Sequence, residues 1–192
     1  MIESLKNIDT QLFLLFNGMH NSFFDVVMWG LSSKIIWIPM YAYLLYLLIK
    51  LYKKQTWIII LGIIIGVALA DSLSVALFKN VFLRFRPSHN PALEGLVHLV
   101  NGYKGGDYGF ISSHAANTFA LAGFLAHFLK ARFRYFSIFI YSWAVVVCYS
   151  RIYLGVHYPS DVICGGLFGS IIVVIVLKAY DYFEKNIFSF NK

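Results

Sequence analysis

Charge is what this sequence has least of. Only 13% of its 192 residues are Asp, Glu, Lys or Arg, while 59% are hydrophobic, and the mean hydropathy is +0.70. A water-soluble domain of this size needs more polar surface to solvate its outside, so a soluble globular protein is excluded. Cysteine is scarce as well. Cys148 and Cys164 both fall inside apolar stretches, where they read as small packing residues, with no basis for a disulfide framework or a metal site. The first residues lack a basic segment followed by an apolar core and a small-residue cleavage site. No cleaved signal peptide is expected, and insertion is expected to rest on the spanning helices themselves.

Acidic residues are outnumbered 9 to 16, which gives a formal charge of +7. That balance invites a nucleic-acid reading, but the distribution argues for topology. Nine of the 16 basic residues form three clusters just beyond apolar segments: Lys50, Lys53 and Lys54; Lys130, Arg132 and Arg134; Lys178, Lys185 and Lys192. Such clusters mark cytoplasmic ends of membrane helices, and no nucleic-acid partner is expected.

What is present in quantity is long apolar runs. Residues 57–70 carry no charge at all. About five spanning helices are expected, near residues 33–51, 57–78, 113–129, 135–150 and 161–180, each close to the ~20 residues that a bilayer needs. The third and fourth are short. Before them, Leu5, Ile8, Leu12, Leu15, Phe16 and Met19 recur at helical spacing with Lys6, Asp9 and Thr10 off that face, and Asn21-Ser22 offers a cap for a second short helix. A sixth spanning helix over residues 12–31 would have to carry Asn17, His20, Asn21 and Asp25. Those polar residues favour interfacial amphipathic helices instead. The fold class is therefore all-α: a polytopic membrane helical bundle forming one domain over 1–192, with interfacial helices in 1–32, the spanning bundle in 33–180 and a cytoplasmic tail in 181–192. With the three clusters cytoplasmic, the N-terminal region, the long loop 88–110 and the short loop 151–160 face outward. The expected location is the cytoplasmic (inner) membrane, with any site of the outer segments on the periplasmic or extracellular face.

The outward face then holds more positive charge than topology explains. Lys79, Arg86 and Arg151 are three cations at a low-dielectric boundary, and few acidic residues lie near them in sequence. A phosphate dianion is the anion that suits guanidinium forks and an ammonium point charge. Ser112 and Ser113 open a helix and add hydroxyls and free backbone N–H groups. Asp161, four residues after His157, is placed to accept from one imidazole nitrogen and leave the other as a nucleophile. His114, from another helix, is placed to protonate the leaving oxygen and later to activate water.

These residues also carry a resemblance. Lys79 with Arg86-Pro87, then Ser112-Ser113-His114, then Ser150-Arg151 with His157 and Asp161 resemble the three motifs of the type-2 phosphatidic acid phosphatase family, which includes membrane lipid phosphatases and soluble vanadium haloperoxidases. The resemblance implies a phosphatase that uses neither metal nor other cofactor. In it His157 is the nucleophile, His114 the acid and base, and Lys79, Arg86, Ser112, Ser113 and Arg151 bind phosphate. Its implied partners are the bilayer and a phosphorylated lipid: undecaprenyl diphosphate, phosphatidylglycerol phosphate, phosphatidic acid or a lipid A phosphate. The middle motif departs from the family's Pro-Ser-Gly-His, with Ile111 for the proline and Ser113 for the glycine, which matters if that position needs positive φ. Rival readings are a lipid-phosphate binder or transporter without turnover, and a haloperoxidase-like use of vanadate, against which the spanning helices argue.

The remaining polar residues are expected to be blander. Arg84 reads as a solvated or headgroup-facing side chain, and His20, His89, His98 and His127 as loop or interface residues. Asp71 lies about 12 Å deeper than Lys79 at 1.5 Å per helical residue; a hydrogen-bonded structural role is expected there. The glycine-containing loop 88–110 is open to two readings, a mobile headgroup-recognition lid or an ordinary surface loop.

Overall fold

The structure, a computed structural model, describes residues 2–189 and the side chains of residues 3–185; Lys192 and the end of the expected tail lie outside the described residues. The described residues form an all-α bundle. Two N-terminal helices, α1 (Ile2–Gly18) and α2 (Ser22–Ser32), precede α3 (Ile38–Tyr52) and α4 (Thr56–Ser74), and a π turn, Val75–Lys79, extends α4 into the short α5 (Asn80–Phe82). An irregular segment leads to α6 (Ser113–Leu129), followed by α7 (Phe136–Tyr153) and α8 (Pro159–Ser189). Among the described residues, three helical stretches are long and apolar enough to cross a membrane: Ile35–Phe82, Phe136–Tyr153 and Pro159–Lys185. The first is broken at Lys53, whose φ of 48° reverses the chain between α3 and α4.

The central helix is α6. Ala115, Ala116, Ala120, Ala122, Phe124 and Leu125 are all buried there, and α4, α7 and α8 pack around it. Close approach of α8 depends on Gly165 and Gly169, one helical turn apart. A methyl group on either would sit on a carbonyl oxygen of α6, that of Ser112 or of Ala116. Small residues at i and i+4 let helix backbones touch in this way where lipid supplies no hydrophobic drive. Adding a methyl would cost about 1–3 kcal/mol of overpacking. The same contact brings the Ser112 N–H to the Asp161 carbonyl at 2.9 Å, so helix packing locks two motifs together. The outward stripe of α8 is apolar as well: Ile163, Leu167, Ile171, Val174 and Ile175 are exposed, as lipid requires.

One end of the bundle gathers the basic clusters. The Tyr52 hydroxyl donates to the Phe128 carbonyl at 2.6 Å, and Phe128 packs edge-on against Tyr180. The chain ends bearing Lys50–Lys54, Lys130–Arg134 and Lys178 therefore share one side, and the motif residues collect at the other.

The N-terminal helix is amphipathic as expected, but its faces are reversed from the sense of a soluble helix. Leu5, Ile8, Leu12 and Leu15 point outward, while Asp9, Phe13 and Asn17, at i, i+4 and i+8, are buried against the bundle. In an apolar solvent the polar side of a helix is the side that needs protein. Asn17 satisfies both halves of its amide, donating to the Tyr153 and His98 carbonyls at 2.8 and 3.0 Å and accepting from the His98 N–H at 2.8 Å. Asn21 caps α2 by accepting from the Phe24 N–H at 2.9 Å, as its sequence position suggests. The helix expected to end at Tyr180 runs on to Ser189.

Candidate active site

Three separate stretches of chain meet at the end of the bundle away from the basic clusters. The first is the end of α4. Lys79 closes the π turn and donates through Nζ to the Ser113 hydroxyl at 2.7 Å. That hydroxyl lies 2.6 Å from Ser74 Oγ, which donates to the Asp71 carbonyl at 2.7 Å. Lys79, Ser113 and Ser74 thus form one directed chain across the α4–α6 groove. Ser113 is the first residue of α6, with φ outside the positive region. The serine in place of glycine therefore meets no backbone penalty, and it gains a hydroxyl contact.

Arg86 follows on an extended segment. Its N–H bonds the Asp107 carbonyl at 2.9 Å, its Nε donates to the Tyr108 carbonyl at 3.2 Å, and a single antiparallel bridge pairs Phe85 with Tyr108. Two glycines of the loop, Gly105 and Gly109, lie directly on this arginine. A Cβ at Gly105, where φ is +70°, would come within 2.8 Å of Arg86 Nη1, and one at Gly109 would press on Arg86, Asp161 and His157 together. The loop therefore clamps Arg86 by close backbone approach.

The third stretch is the α7–α8 turn. His157 and Asp161 are almost wholly buried. His157 Nδ1 lies 3.4 Å from Asp161 Oδ2, and Nε2 lies 3.3 Å from Arg86 Nη1. Burial, with the charges of Arg86, Arg151 and Lys79, holds the His157 imidazole well below its usual pKa, so the neutral form dominates near pH 7. Burial and the neighbouring Arg151 also lower the Arg86 guanidinium from its ordinary value. Arg151, nearly all buried, donates from Nη1 to the Ser32 hydroxyl, and its guanidinium lies 5.7 Å from the Tyr103 ring centre. His114 shares a small cavity with Arg151, Ser32, Ser33 and Lys34. Ser112 is fully buried and caps α6 by accepting from the Ala115 N–H at 3.3 Å.

The charge inventory is lopsided. Among the described residues, no carboxylate lies within ion-pair distance of Lys79, Arg86 or Arg151, whereas the one carboxylate beside His157 is matched by a different cation. Arg84 donates to Asp161 Oδ1 at 3.0 Å and to Asp9 Oδ2 at 2.6 Å, and it stacks over the Tyr158 ring at 4.0 Å. Its expected role as a solvated side chain is thereby corrected. Asp9 completes the brace by accepting from the Ser160 N–H at 2.9 Å and from its hydroxyl. His98 and His20 are likewise less isolated than expected. Their rings stack at 3.6 Å, and His98 Nε2 lies 3.0 Å from Asp25, whose carboxylate also accepts from the Tyr153 hydroxyl at 2.8 Å. His89 lies 3.6 Å from Asp107. Asp71 is hydrogen-bonded as expected, accepting from Asn117 Nδ2 at 2.7 Å. Sequence spacing had no signal for Asp9, whose partners are 75 and 151 positions away.

The model of the PAP2 superfamily matches residues 55–185. The lipid A 4'-phosphatase of Bacteroides thetaiotaomicron is 45% identical over 172 residues, covering 88% of this chain and 75% of that protein. The lipid A 4'-phosphatase of Porphyromonas gingivalis is 38% identical over 184 residues, covering 94% and 76%. A transmembrane PAP2-type phosphatidylglycerolphosphate phosphatase from Bacillus subtilis, 22% identical, shares the fold with a TM-score of 0.68 over 93% of this chain and 87% of its own. With its three motifs joined at one end of such a bundle, the chain belongs to the PAP2 superfamily.

Proposed function

We propose that the protein is an integral membrane phosphatase that hydrolyses a phosphate monoester on a lipid, with a lipid A phosphate as the favoured substrate. One observation carries the reading: among the described residues, three buried or half-buried cations without carboxylate partners gather around the His157 imidazole. A bound phosphate supplies the missing negative charge, and the cations are already in place for the oxygens of the transition state. The substrate preference draws on the two relatives whose names specify lipid A.

In the proposed reaction, His157 Nε2 attacks phosphorus and the bond from phosphorus to the lipid oxygen breaks. His114, held in its protonated form by the bound phosphate dianion, gives that oxygen its proton. Asp161 holds Nδ1–H and offsets the positive charge that the ring gains on phosphorylation. His114 then takes a proton from water, the water oxygen attacks phosphorus, the P–N bond breaks, and inorganic phosphate leaves with His157 restored. Lys79, Arg86 and Arg151 hold the three non-bridging oxygens through both steps, with Ser112 and Ser113 at the α6 N-terminus adding donors. This charge supply needs no metal ion. Under the positive-inside rule, the basic end of the bundle is cytoplasmic and the site opens outward from the inner membrane.

The test is phosphate release from a panel of phosphorylated lipids in detergent, run with EDTA and with vanadate. A phosphorylated glycolipid should be turned over with EDTA present, and vanadate should inhibit by copying five-coordinate phosphorus. Strict dependence on Mg²⁺, indifference to vanadate, or release from no lipid in the panel would each count against the proposal.

A further inference from the structure

Below the phosphate site lies a cavity of about 310 Å³, of which the reaction above uses only His114. Its wall follows successive turns of two antiparallel helices. His114, Asn117, Thr118 and Leu121 are one face of α6, and Val67 and Asp71 are one face of α4. Trp37, Tyr41 and Trp143 supply aromatic walls. The layers are ordered: His114 at the top, the Asp71–Asn117 hydrogen bond one turn down, then the apolar pair Val67 and Leu121. Two buried polar atoms of this lining, Asn117 Oδ1 and Trp143 Nε1, have no hydrogen-bond partner. Asp71 itself is exposed although it lies well inside the membrane-spanning stretch. Unpartnered buried polar atoms and an intramembrane carboxylate both cost free energy that a bound ligand would offset.

We infer that this cavity holds the leaving group, and that the Asp71–Asn117 pair reads hydroxyl or amide N–H donors on the lipid headgroup. The inference rests on the proposed phosphatase reaction, because it puts the leaving group on the His114 side of phosphorus. Asp71, exposed to the cavity and oriented by Asn117 Nδ2, accepts from the headgroup, and the aromatic walls suit the flat apolar faces of a sugar ring. The apolar layer below receives the start of the acyl chains. A phosphorylated acyl-sugar has such donors, whereas a simple alkyl or polyprenyl phosphate has none.

The test compares wild type with Asp71→Asn and Asn117→Ala in two assays. One is kcat/KM on a phosphorylated glycolipid relative to hexadecyl phosphate; the other is binding of the dephosphorylated glycolipid, followed by tryptophan fluorescence. Each substitution should shrink the glycolipid preference by about 10-fold to 100-fold, mainly through KM, and weaken product binding by a similar factor, the size of one hydrogen bond to a charged group. An equal loss on both substrates, or unchanged binding in both variants, would overturn the inference. Tight, Asp71-dependent glycolipid binding by a wild type that hydrolyses neither substrate would support the cavity assignment while sinking the phosphatase reading.

Discussion

Residues 55–185, the part matched by the family model, and the preceding residues 2–54 divide the labour at the site. Every group proposed to touch phosphate lies in the first part: Lys79, Arg86, Ser112, Ser113, His114, Arg151 and His157. The N-terminal helices supply none of these, yet they reach most of the groups that hold them. Asp9 grips Arg84 and Ser160 beside Asp161, Ser32 holds Arg151, and Asn17 and Asp25 fasten the Tyr153 end of α7. A constellation of buried cations is self-repelling, and rigid geometry near it must be supplied from outside. Here, the braces come from helices whose polar faces turn toward protein because lipid offers them nothing.

The comparison breaks first if a core residue proves dispensable. His157→Ala should lower phosphate release by about 10⁴-fold or more, since it removes the proposed nucleophile, while detergent-solubilised protein keeps its helical circular dichroism. Turnover within tenfold of wild type would remove His157 from the nucleophile role.

A smaller effect is expected where the two regions join. Arg84→Ala leaves Asp161 without its cation and should cost about 10-fold to 100-fold in kcat, and Asp9→Asn should cost about 3-fold to 10-fold. The double variant should be no worse than Arg84→Ala alone, because Asp9 acts through Arg84. Such non-additivity corresponds to a coupling of about 1 kcal/mol. Strictly additive losses would mean that Asp9 supports the site by some other route, such as its bonds to Ser160.

The two regions also differ in how much of them could be read from sequence. The apolar helices and the three motifs were legible because each is a local pattern: an apolar run, or polar residues at fixed short spacing. Lys79 and Arg86, or Arg151, His157 and Asp161, declare themselves within a dozen residues of one another. The braces were not legible, because Asp9, Asn17 and Arg84 are defined by partners on other helices. The apolar stripe of α1 was visible, but its direction depends on whether the solvent is water or lipid. Asp71 could be seen as out of place, and expected to find a hydrogen bond. Only the folded α4–α6 groove identifies Asn117 as its partner and shows the cavity beside it.

The gentlest probe of the brace is Ser32, the last residue of α2. Its hydroxyl accepts from Arg151 Nη1, and the Nε of that guanidinium has no partner. Ser32→Ala therefore leaves a buried cation with the Tyr103 ring as its remaining neighbour on that side. The exposed Tyr103 ring supplies about 0.5–1 kcal/mol where water reaches it, less than the roughly 1.5–3 kcal/mol of a hydrogen bond to a charged group. Bound phosphate would still draw Arg151 into place, so kcat should change little while KM rises about 3-fold to 10-fold, and Ser32→Thr, which keeps the hydroxyl, should restore it. An unchanged KM in Ser32→Ala would show that Arg151 is held by the α7 backbone and its own packing. The N-terminal helices would then brace the acidic side of the site, through Asp9 and Arg84, and leave the phosphate-gripping side to the core.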